Sequence, residues 1–155
     1  MNLPNDIITT TPDREIISTR TFNIDRETMF RAWTEPEHLK NWWGPNGFTT
    51  TFNEYDLRPG GKWSFIMHGP NNGNYPNECV FVKIIKPELV AWNHVSEPPF
   101  QVLIVFEEAS KYETKVIFKM LFSTAEECAS KKIFVVDKNE ENFDRLEVEL
   151  LKMKS

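Results

Sequence analysis

The sequence has little cysteine and no long apolar run, and these two features limit the cellular compartments in which the protein is expected. Its 155 residues include only two cysteines, Cys79 and Cys128, and no Asn-x-Ser/Thr glycosylation site. A disulfide-stabilised secreted domain is therefore not expected. No stretch approaches the ~18 apolar residues that cross a bilayer, and the N-terminus lacks the apolar core of a signal peptide. We expect a cytoplasmic protein with reduced thiols and no membrane insertion.

The usual spacings of metal-binding and catalytic motifs are also missing. The three histidines, His38, His68 and His94, form neither an HxH nor an HxxxH pair, so local spacing predicts no zinc site. Gly60-Gly61-Lys62 is similar to part of a phosphate-binding loop, but the first glycine of that motif is absent and strands flank the segment. No Gly-x-Ser-x-Gly elbow is present. We therefore expect no cofactor and no metal ion, and we assign no catalytic residue.

Acidic residues outnumber basic residues, and aromatic side chains are abundant. Lys and Arg number 18 against 23 Asp and Glu, which gives a formal net charge of −5. This balance argues against nucleic acid or an anionic membrane as the main partner. Aromatic residues make up 13% of the chain, with 12 Phe and 5 Trp. This content favours either a wide aromatic core or a cavity for an apolar ligand, and composition leaves both alternatives open.

The length is that of one ordinary domain, and the sequence places this domain after a short N-terminal arm. Residues 1–13 carry two prolines and three consecutive threonines without apolar periodicity, which predicts a flexible arm. Residues 14–155 are assigned to a single domain. Alternating residues in Arg14–Asn23 predict a strand. Asp25 is placed to cap a helix, and a second short helix is expected at 36–42 because it begins with proline.

Alternation of period two replaces helical periodicity after the second helix, and turn residues divide this region into six short strands. Arg58-Pro59-Gly60-Gly61 and Asn72-Gly73 mark tight turns. Regularly spaced strands with short connections form an antiparallel meander. The predicted strands are 48–57, 62–68, 77–85, 89–95, 100–108 and 112–122.

The C-terminal segment predicts a long helix laid across this sheet. Ser123 stands three residues before Glu126, which is the spacing of a capping box. The apolar run 133–136 allows three interpretations: a kink, a loop, or the most buried turn of one long helix. We expect a helix that bends near residue 137. One apolar stripe on this charged segment must lie on the sheet, and it comprises Phe143, Leu146, Leu150 and Met153.

Seven blocks between Thr28 and Leu146 carry a family resemblance through their order and spacing. They are Thr28-Met29-Phe30-Arg31-Ala32-Trp33, Glu35-Pro36-Glu37-His38-Leu39, Trp42-Trp43-Gly44-Pro45, Asp56-Leu57-Arg58-Pro59-Gly60-Gly61, Tyr75-Pro76-Asn77-Glu78, Lys86-Pro87-Glu88 and Phe143-Asp144-Arg145-Leu146. With the strand Arg14–Phe22 before them, they resemble START-like proteins of the SRPBCC superfamily, and specifically those related to the activator of the heat-shock chaperone ATPase.

The resemblance implies an α+β helix-grip (START-like) fold. In this fold a curved antiparallel sheet wraps around a long C-terminal helix, and two short helices follow the first strand. The chain departs from the family pattern at residues 134–140, where it holds no glycine. Because glycine permits close backbone packing, its absence predicts an altered or narrowed rim of the cavity.

The resemblance also implies several kinds of function. Family members are described as binders of small hydrophobic ligands, chaperone regulators or stress-response proteins, and relatives of the same fold include aromatases and cyclases. We prefer a non-enzymatic domain that binds a small hydrophobic or aromatic molecule between sheet and helix. The alternatives are an interaction domain that regulates a chaperone ATPase, and an aromatase- or cyclase-like enzyme. Both a monomer and a homodimer are compatible with the sequence.

Ten residues are predicted to line the cavity, although all of them also suit an ordinary core. One of two adjacent tryptophans is expected in the core and the other at the mouth of the cavity. His94 is the best single candidate for acid–base chemistry, although a hydrogen-bonded structural histidine is the preferred interpretation. The predicted cavity residues are Trp42, Trp43, Met67, Phe81, Trp92, His94, Phe106, Phe118, Met120 and Phe143.

Overall fold

Seven antiparallel strands form one sheet with three helices packed along it in the computed structural model, which describes residues 3–154. This is the α+β helix-grip fold that the resemblance implies. The helices are α1 (Arg26–Thr34), α2 (Pro36–Trp42) and α3 (Ala125–Lys154), and a short 3-10 turn spans Pro12–Arg14. The strands are β1 (Glu15–Phe22), β2 (Thr49–Tyr55), β3 (Lys62–His68), β4 (Asn74–Ile85), β5 (Leu89–His94), β6 (Phe100–Ser110) and β7 (Glu113–Leu121).

The two short helices begin and end at the expected residues. Asp25 caps α1, because its carboxylate accepts a hydrogen bond from the backbone N–H of Thr28 at 3.0 Å. Helix α1 ends before Pro36, which begins α2, since proline disfavours helical backbone in the residue before it. Helix α1 packs against β6 and β7, and α2 packs against β2. The two helices therefore close one end of the curved sheet.

The sheet follows the chain from β2 to β7, and β1 joins it beside β7. The strand order is β1-β7-β6-β5-β4-β3-β2, with every neighbouring pair antiparallel. All six strands predicted after α2 are present. The largest boundary difference is in β4, which begins at Asn74 rather than at residue 77, because Tyr75 and Asn74 still pair with the end of β3 beside the turn.

Helix α3 is continuous over 30 residues. It runs through residues 133–137 without interruption, so a loop there is wrong, and the bend expected near residue 137 does not break the helix. Ile133 is 80% exposed and Phe134 is 65% exposed, so the interpretation of this run as the most buried turn is also wrong. Apolar composition misleads here because these two side chains lie on the solvent side of the helix.

The second half of α3 packs as predicted. Phe143, Leu146 and Leu150 are buried, and Met153 is partly buried against the same core. The ring of Phe143 lies 5.7 Å from that of Phe22 in an edge-to-face contact. The guanidinium of Arg20 on β1 pairs with three carboxylates of α3 at 2.9 to 3.0 Å. These contacts fix the second half of the helix against the sheet, and the paired acids are Glu140, Asp144 and Glu147.

The N-terminal arm makes hydrogen bonds with the face of the sheet opposite the helices. Asn93 donates to the carbonyl of Pro4 at 2.9 Å, and the amide nitrogen of Gln101 donates to the carbonyl of Asp6 at 3.0 Å. The amide oxygen of Gln101 accepts from the backbone N–H of Ile8 at 2.9 Å. Gln101 is fully buried, so this part of the arm satisfies polar groups that would otherwise lack partners.

No helix among residues 3–154 is both long enough and apolar enough to span a membrane. Helix α3 has the necessary length, but charged side chains occur throughout it.

Candidate ligand-binding cavity

A cavity of about 170 Å³ lies between the sheet and the middle of α3. Its floor is the inner face of β3 to β7, and its roof is α3 together with the loop between α2 and β2. Aromatic and sulfur-containing side chains dominate the floor, with a few polar groups among them, as in most small-molecule sites. The polar wall residues are Asn77, Cys79, His94, Lys138, Asn139 and Asn142.

The cavity exists because a rigid aromatic floor faces short side chains on the helix. The ring of Trp43 stacks 6.4 Å from Phe118 and meets Trp92 edge-to-face at 5.8 Å. Opposite these rings, α3 presents Asn139 and Asn142, both buried. An asparagine side chain is too short to fill the space that Phe143 and Leu146 fill farther along the helix, and packed rings do not collapse to close it.

The loop that carries Trp43 is held at the edge of the cavity by α3. Asn142 accepts a hydrogen bond from the backbone N–H of Gly44 at 3.0 Å. Arg145 donates to the carbonyl oxygens of Gly44 and Pro45 at 2.8 and 3.1 Å. Gly44 has φ +112°, and a Cβ there would lie 2.7 Å from the terminal methyl of Met67. The positive φ therefore favours glycine here, and a side chain at this position would displace the end of Met67.

Six of the ten predicted residues lie on the cavity wall. They are Trp43, Met67, Trp92, His94, Phe118 and Met120. The structure places the two adjacent tryptophans differently, because Trp43 borders the cavity, whereas Trp42 is fully buried and donates its indole N–H to the carbonyl of Ala32.

The other predicted residues, Phe81, Phe106 and Phe143, point inward but are not on the wall, because other rings cover them. Phe81 stacks on Trp63 with centroids 6.1 Å apart. Phe106 packs edge-to-face on Phe30 of α1 at 5.7 Å. Alternation along a strand identifies the inner face, but it does not separate the packed part of that face from the hollow part.

Sequence reasoning missed the helix side of the wall. Lys138, Asn139 and Asn142 line the cavity, and the two asparagines continue the apolar stripe of Phe143 and Leu146 toward the N-terminus of the helix. Polar residues at stripe positions were the available signal, since a buried asparagine on such a face needs partners. Further missed wall residues are Phe65, Asn77, Cys79, Phe100 and Val102.

His94 is the main polar group of the floor and is only 8% exposed. Its ring stacks on that of Phe100 at 4.6 Å. The Nδ1 atom lies 3.1 Å from the carbonyl oxygen of Pro98, and Nε2 lies 2.7 Å from Oδ1 of Asn77. Burial lowers the pKa of His94, although hydrogen bonding to the backbone of Pro98 and Ser96 partly offsets this effect. A neutral ring is therefore favoured.

Cys79 lies directly opposite His94 in the pairing of β4 with β5. Burial raises the pKa of the Cys79 thiol, and the two ring nitrogens of His94 face Asn77 and Pro98 rather than the sulfur. The thiol is therefore not activated as a nucleophile. Among the described residues that line the cavity, none is a carboxylate.

A shallow groove adjoins the cavity on the outside of this wall. It lies between the start of β4, the loop between β5 and β6, and the first half of α3. Asn77, His94, Phe100 and Met120 border both spaces. These four residues therefore form a partition between the cavity and the groove.

Two other features of the described residues lie away from the cavity. Glu35, Glu37 and His38 bring possible metal-ligand atoms within 4.8 Å of one another, but Nδ1 of His38 already lies 2.9 Å from a carboxylate oxygen of Glu149. A depression of about 180 Å³ near the C-terminal end of α3 is bordered by charged side chains. Neither has the largely aromatic lining of the cavity.

Comparisons with known proteins agree with this architecture. A crystal structure of a protein from Nitrosomonas europaea has 20% sequence identity and a TM-score of 0.85, and the match covers 94% of this chain and 99% of that chain. A crystal structure of a protein from Rhodobacter sphaeroides has 17% identity and a TM-score of 0.83, with 94% and 98% covered.

A solution structure of a protein from Arthrobacter aurescens has 18% identity and a TM-score of 0.82, with 90% and 87% covered. At these identities the likeness concerns the fold. The search of curated proteins gives no match. The profile of one family, described as "Activator of Hsp90 ATPase homolog 1-like protein", matches residues 23–150. The chain therefore belongs to the Activator of Hsp90 ATPase homolog 1-like family, within the START-like SRPBCC superfamily.

Proposed function

We propose that this protein is a non-enzymatic, cytoplasmic binder of a small apolar or aromatic molecule, held in the cavity between the sheet and α3. The observation that carries the proposal is a partly open space of about 170 Å³ with a largely aromatic floor. An apolar cavity of ~150 Å³ in another protein is large enough to bind benzene. The expected ligand is therefore of the size of one ring, and a long-chain lipid is too large.

The polar groups of the cavity support binding more than catalysis. Burial keeps the Cys79 thiol protonated, and no carboxylate is present among the described lining residues. An aromatase- or cyclase-like reaction needs a group that can take up or deliver a proton beside the substrate. Of the two other titratable side chains in this wall, Lys138 is exposed to solvent, and both nitrogens of His94 already face oxygens of the protein.

A chaperone-binding role is the second candidate. The family description favours it, and so do the exposed side chains of Ile133 and Phe134 on α3, because exposed apolar residues often take part in protein contacts. Titration of the cognate chaperone with wild-type protein and with Phe134→Ala tests this role. Absence of association, and an unchanged ATPase rate, would remove it.

Ligand binding is tested first by native mass spectrometry of protein purified without refolding. A reproducible additional mass on the order of 100 Da, the scale of a one-ring molecule, should disappear on denaturation. If none is carried, titration with toluene followed by amide NMR shifts provides a direct measurement, since a one-ring hydrocarbon should shift the amides of cavity residues.

A cavity-filling variant makes this test specific. Val102→Phe places a ring in the cavity, and Val148→Phe makes the same change on the exposed side of α3. Binding should be lost in the first variant and kept in the second. Equal binding in both variants, or no binding by wild-type protein to any one-ring compound, contradicts the proposed function.

A further inference from the structure

The helix side of the cavity carries a hydrogen-bond donor that the described chain does not use. Asn142 of α3 is only 6% exposed and lies on the cavity wall. Its amide oxygen accepts from the backbone N–H of Gly44 at 3.0 Å. Its amide nitrogen carries two N–H groups and has no acceptor among the described residues. Water can take that place, and a ligand oxygen that replaces the water keeps the hydrogen bond.

The contact with Gly44 fixes the orientation of this amide. A reversed side chain would turn the NH₂ group of Asn142 toward the N–H of Gly44, and two donors cannot bond to each other. The nitrogen is also not sealed inside the protein. Within residues 3–154, the fully enclosed side-chain nitrogens without a partner belong to Arg26, Trp33 and Trp63. The amide nitrogen of Asn142 therefore borders open space, and the space that this residue lines is the cavity.

Lys138 places a positive charge one helical turn from this amide. Residues four apart lie on the same face of a helix, and Lys138 lines the cavity although it is exposed. It forms no ion pair with a described residue. Two nearby acids of the helix are used elsewhere, because Glu140 pairs with Arg20 and Glu141 accepts from the backbone N–H of Asn46. The ammonium group is therefore available to a ligand.

No negative charge faces this pair across the cavity, since none of the described lining residues is a carboxylate. The neighbouring Asn139 directs its amide nitrogen to Oγ of Ser18 at 3.3 Å and is not part of the pair. An anion placed in an aromatic space without a partner would be costly. A charged ligand group is therefore favoured only where the amide of Asn142 and the ammonium of Lys138 can meet it.

We propose that Asn142 and Lys138 form a subsite for the carboxylate of a small aromatic acid, whose ring lies on the floor formed by Trp92 and Phe118. The inference rests on the proposed function and narrows its ligand class to aromatic anions. One carboxylate oxygen accepts from the amide nitrogen of Asn142, and the ammonium of Lys138 pairs with the carboxylate at the edge of the cavity. A molecule of the size of benzoate has both parts and contains a single ring.

Benzoate and nitrobenzene test this subsite, because the two molecules have nearly the same shape and only benzoate is charged. Both are titrated into wild-type protein at about pH 7.5, where carboxylates are ionised and lysine is protonated, with toluene as the reference. Amide NMR shifts of the cavity wall measure binding. Benzoate should bind, because the subsite offsets the cost of placing an anion there.

The wild-type titrations separate failure of the subsite from failure of the proposed function. Binding of toluene without binding of benzoate overturns the subsite and leaves the proposed function intact. Binding of none of the three compounds removes the proposed function, and the subsite with it.

Lys138→Met removes the charge at similar length, and Lys132→Met makes the same change at an exposed position of α3 outside the cavity. The affinity for benzoate relative to nitrobenzene should fall roughly three- to tenfold in the first variant, between the effects of an exposed ion pair and a charge-assisted hydrogen bond. The second variant should keep the wild-type ratio. An equal fall in both would mean that overall charge attracts benzoate, and it overturns the subsite.

Asn142→Asp tests the amide with little change in shape. The aspartate still accepts from the N–H of Gly44, but an acceptor replaces the donor on the cavity side. Its charge should repel benzoate, so the affinity for benzoate relative to toluene should fall roughly tenfold or more. Asn53→Asp adds the same charge at an exposed position of β2 and should keep the wild-type ratio.

Thermal unfolding shows whether the Asn142→Asp variant is folded. A wild-type ratio in folded Asn142→Asp overturns the subsite. If this variant does not fold, the comparison of Lys138→Met with Lys132→Met decides, because both of those substitutions are at exposed positions.

Discussion

The two halves of α3 lie over the same sheet but differ in how closely they pack against it. The second half, residues 139–154, inserts Phe143, Leu146 and Leu150 into the core, and its first turn borders the cavity through Asn139 and Asn142. The first half, residues 125–138, borders the adjoining groove through Lys131 and Val135 and reaches the cavity at Lys138. Asn139 and Asn142 mark the change from one to the other, because their short side chains do not reach the aromatic floor.

This difference shows that a binding space in such a fold depends on a few side chains of the helix. The floor is aromatic along its whole length, with Trp63 and Phe81 packed in one part and Trp92 and Phe118 exposed to the cavity in another. Fixed backbone geometry with smaller side chains leaves a void, since the surrounding structure relaxes only in part. The helix therefore supports stability with its second half and borders a candidate site where the two halves meet.

The largest expected effect separates the two halves through one substitution made in each. Phe143→Ala should cost about 3–5 kcal/mol of unfolding free energy, because a fully buried ring is lost from the packed half. Phe134→Ala, at a side chain that is 65% exposed, should change stability by less than about 0.5 kcal/mol. Urea denaturation of both variants measures the difference. A loss below ~1 kcal/mol for Phe143→Ala means that the packed half contributes little.

A smaller effect is expected at the edge of the cavity. Gly44→Ala and Gly60→Ala both place a side chain at positive φ, which should cost about 1–3 kcal/mol in each case. They differ in space, because a Cβ at Gly44 lies 2.7 Å from Met67 whereas none of the described atoms lies within 4 Å at Gly60. Met67 must then shift into the cavity in the first variant alone.

The two glycine variants are therefore expected to lose similar amounts of stability but to differ in ligand affinity. The thermal unfolding temperature should fall by similar amounts in the two variants, whereas the affinity for a one-ring ligand should fall in Gly44→Ala only. Loss of binding in Gly60→Ala to the same extent would show that general destabilisation, rather than the shape of the cavity, decides affinity.

Much of the fold was readable in the sequence, and the reasons are local. Three of the signals depend only on neighbouring residues in the chain. Asp25 caps the first helix, Pro36 begins the second, and residues in the strands alternate with period two. The prediction that Phe143, Leu146 and Leu150 are buried required only that an apolar sheet be present. The position of β1 beside β7 is a long-range pairing, and no local signal in the sequence predicts it.

The cavity could be predicted only in part. Whether other side chains cover an inward-facing residue of the sheet is not determined by its neighbours in the sequence. Phe106 and Phe118 both point to the inner face, but only Phe118 reaches the void, since Phe30 and Trp33 cover Phe106. Asn77, another wall residue, has its polar partners on β4 and β5, at Tyr75 and His94. Such partners are set by strand register, which composition does not reveal.

A further comparison of the halves concerns charge. Arg20 holds the packed half through three carboxylates that are themselves largely exposed, so Arg20→Met should cost only about 1 kcal/mol at low salt. The cost should shrink at high salt, because exposed pairs are screened. Arg31→Met, which removes one exposed pair with Glu35 on α1, should cost less. Unfolding measured at two salt concentrations tests this, and a salt-independent loss would instead indicate packing of Arg20 on Phe143.

The smallest expected effect lies in the cavity half and concerns pH. Desolvation lowers the pKa of folded His94, while the unfolded side chain keeps an ordinary value near ~6.5. Below that value the unfolded chain binds a proton that the folded chain resists, so the contribution of His94 to stability is full at higher pH and declines as pH falls. His94→Gln removes this contribution. Between about pH 7 and pH 5.5, where most carboxylates stay ionised, the variant should therefore lose less stability than the wild type.

The packed half gives the matching control for this last prediction. Phe143→Ala changes no titratable group, so its unfolding free energy should be lower at every pH but should follow the wild-type slope over the same range. If His94→Gln keeps that slope as well, then His94 is not desolvated in the folded protein. The wall of the cavity around His94 would then be open to water, unlike the packed core beneath Phe143.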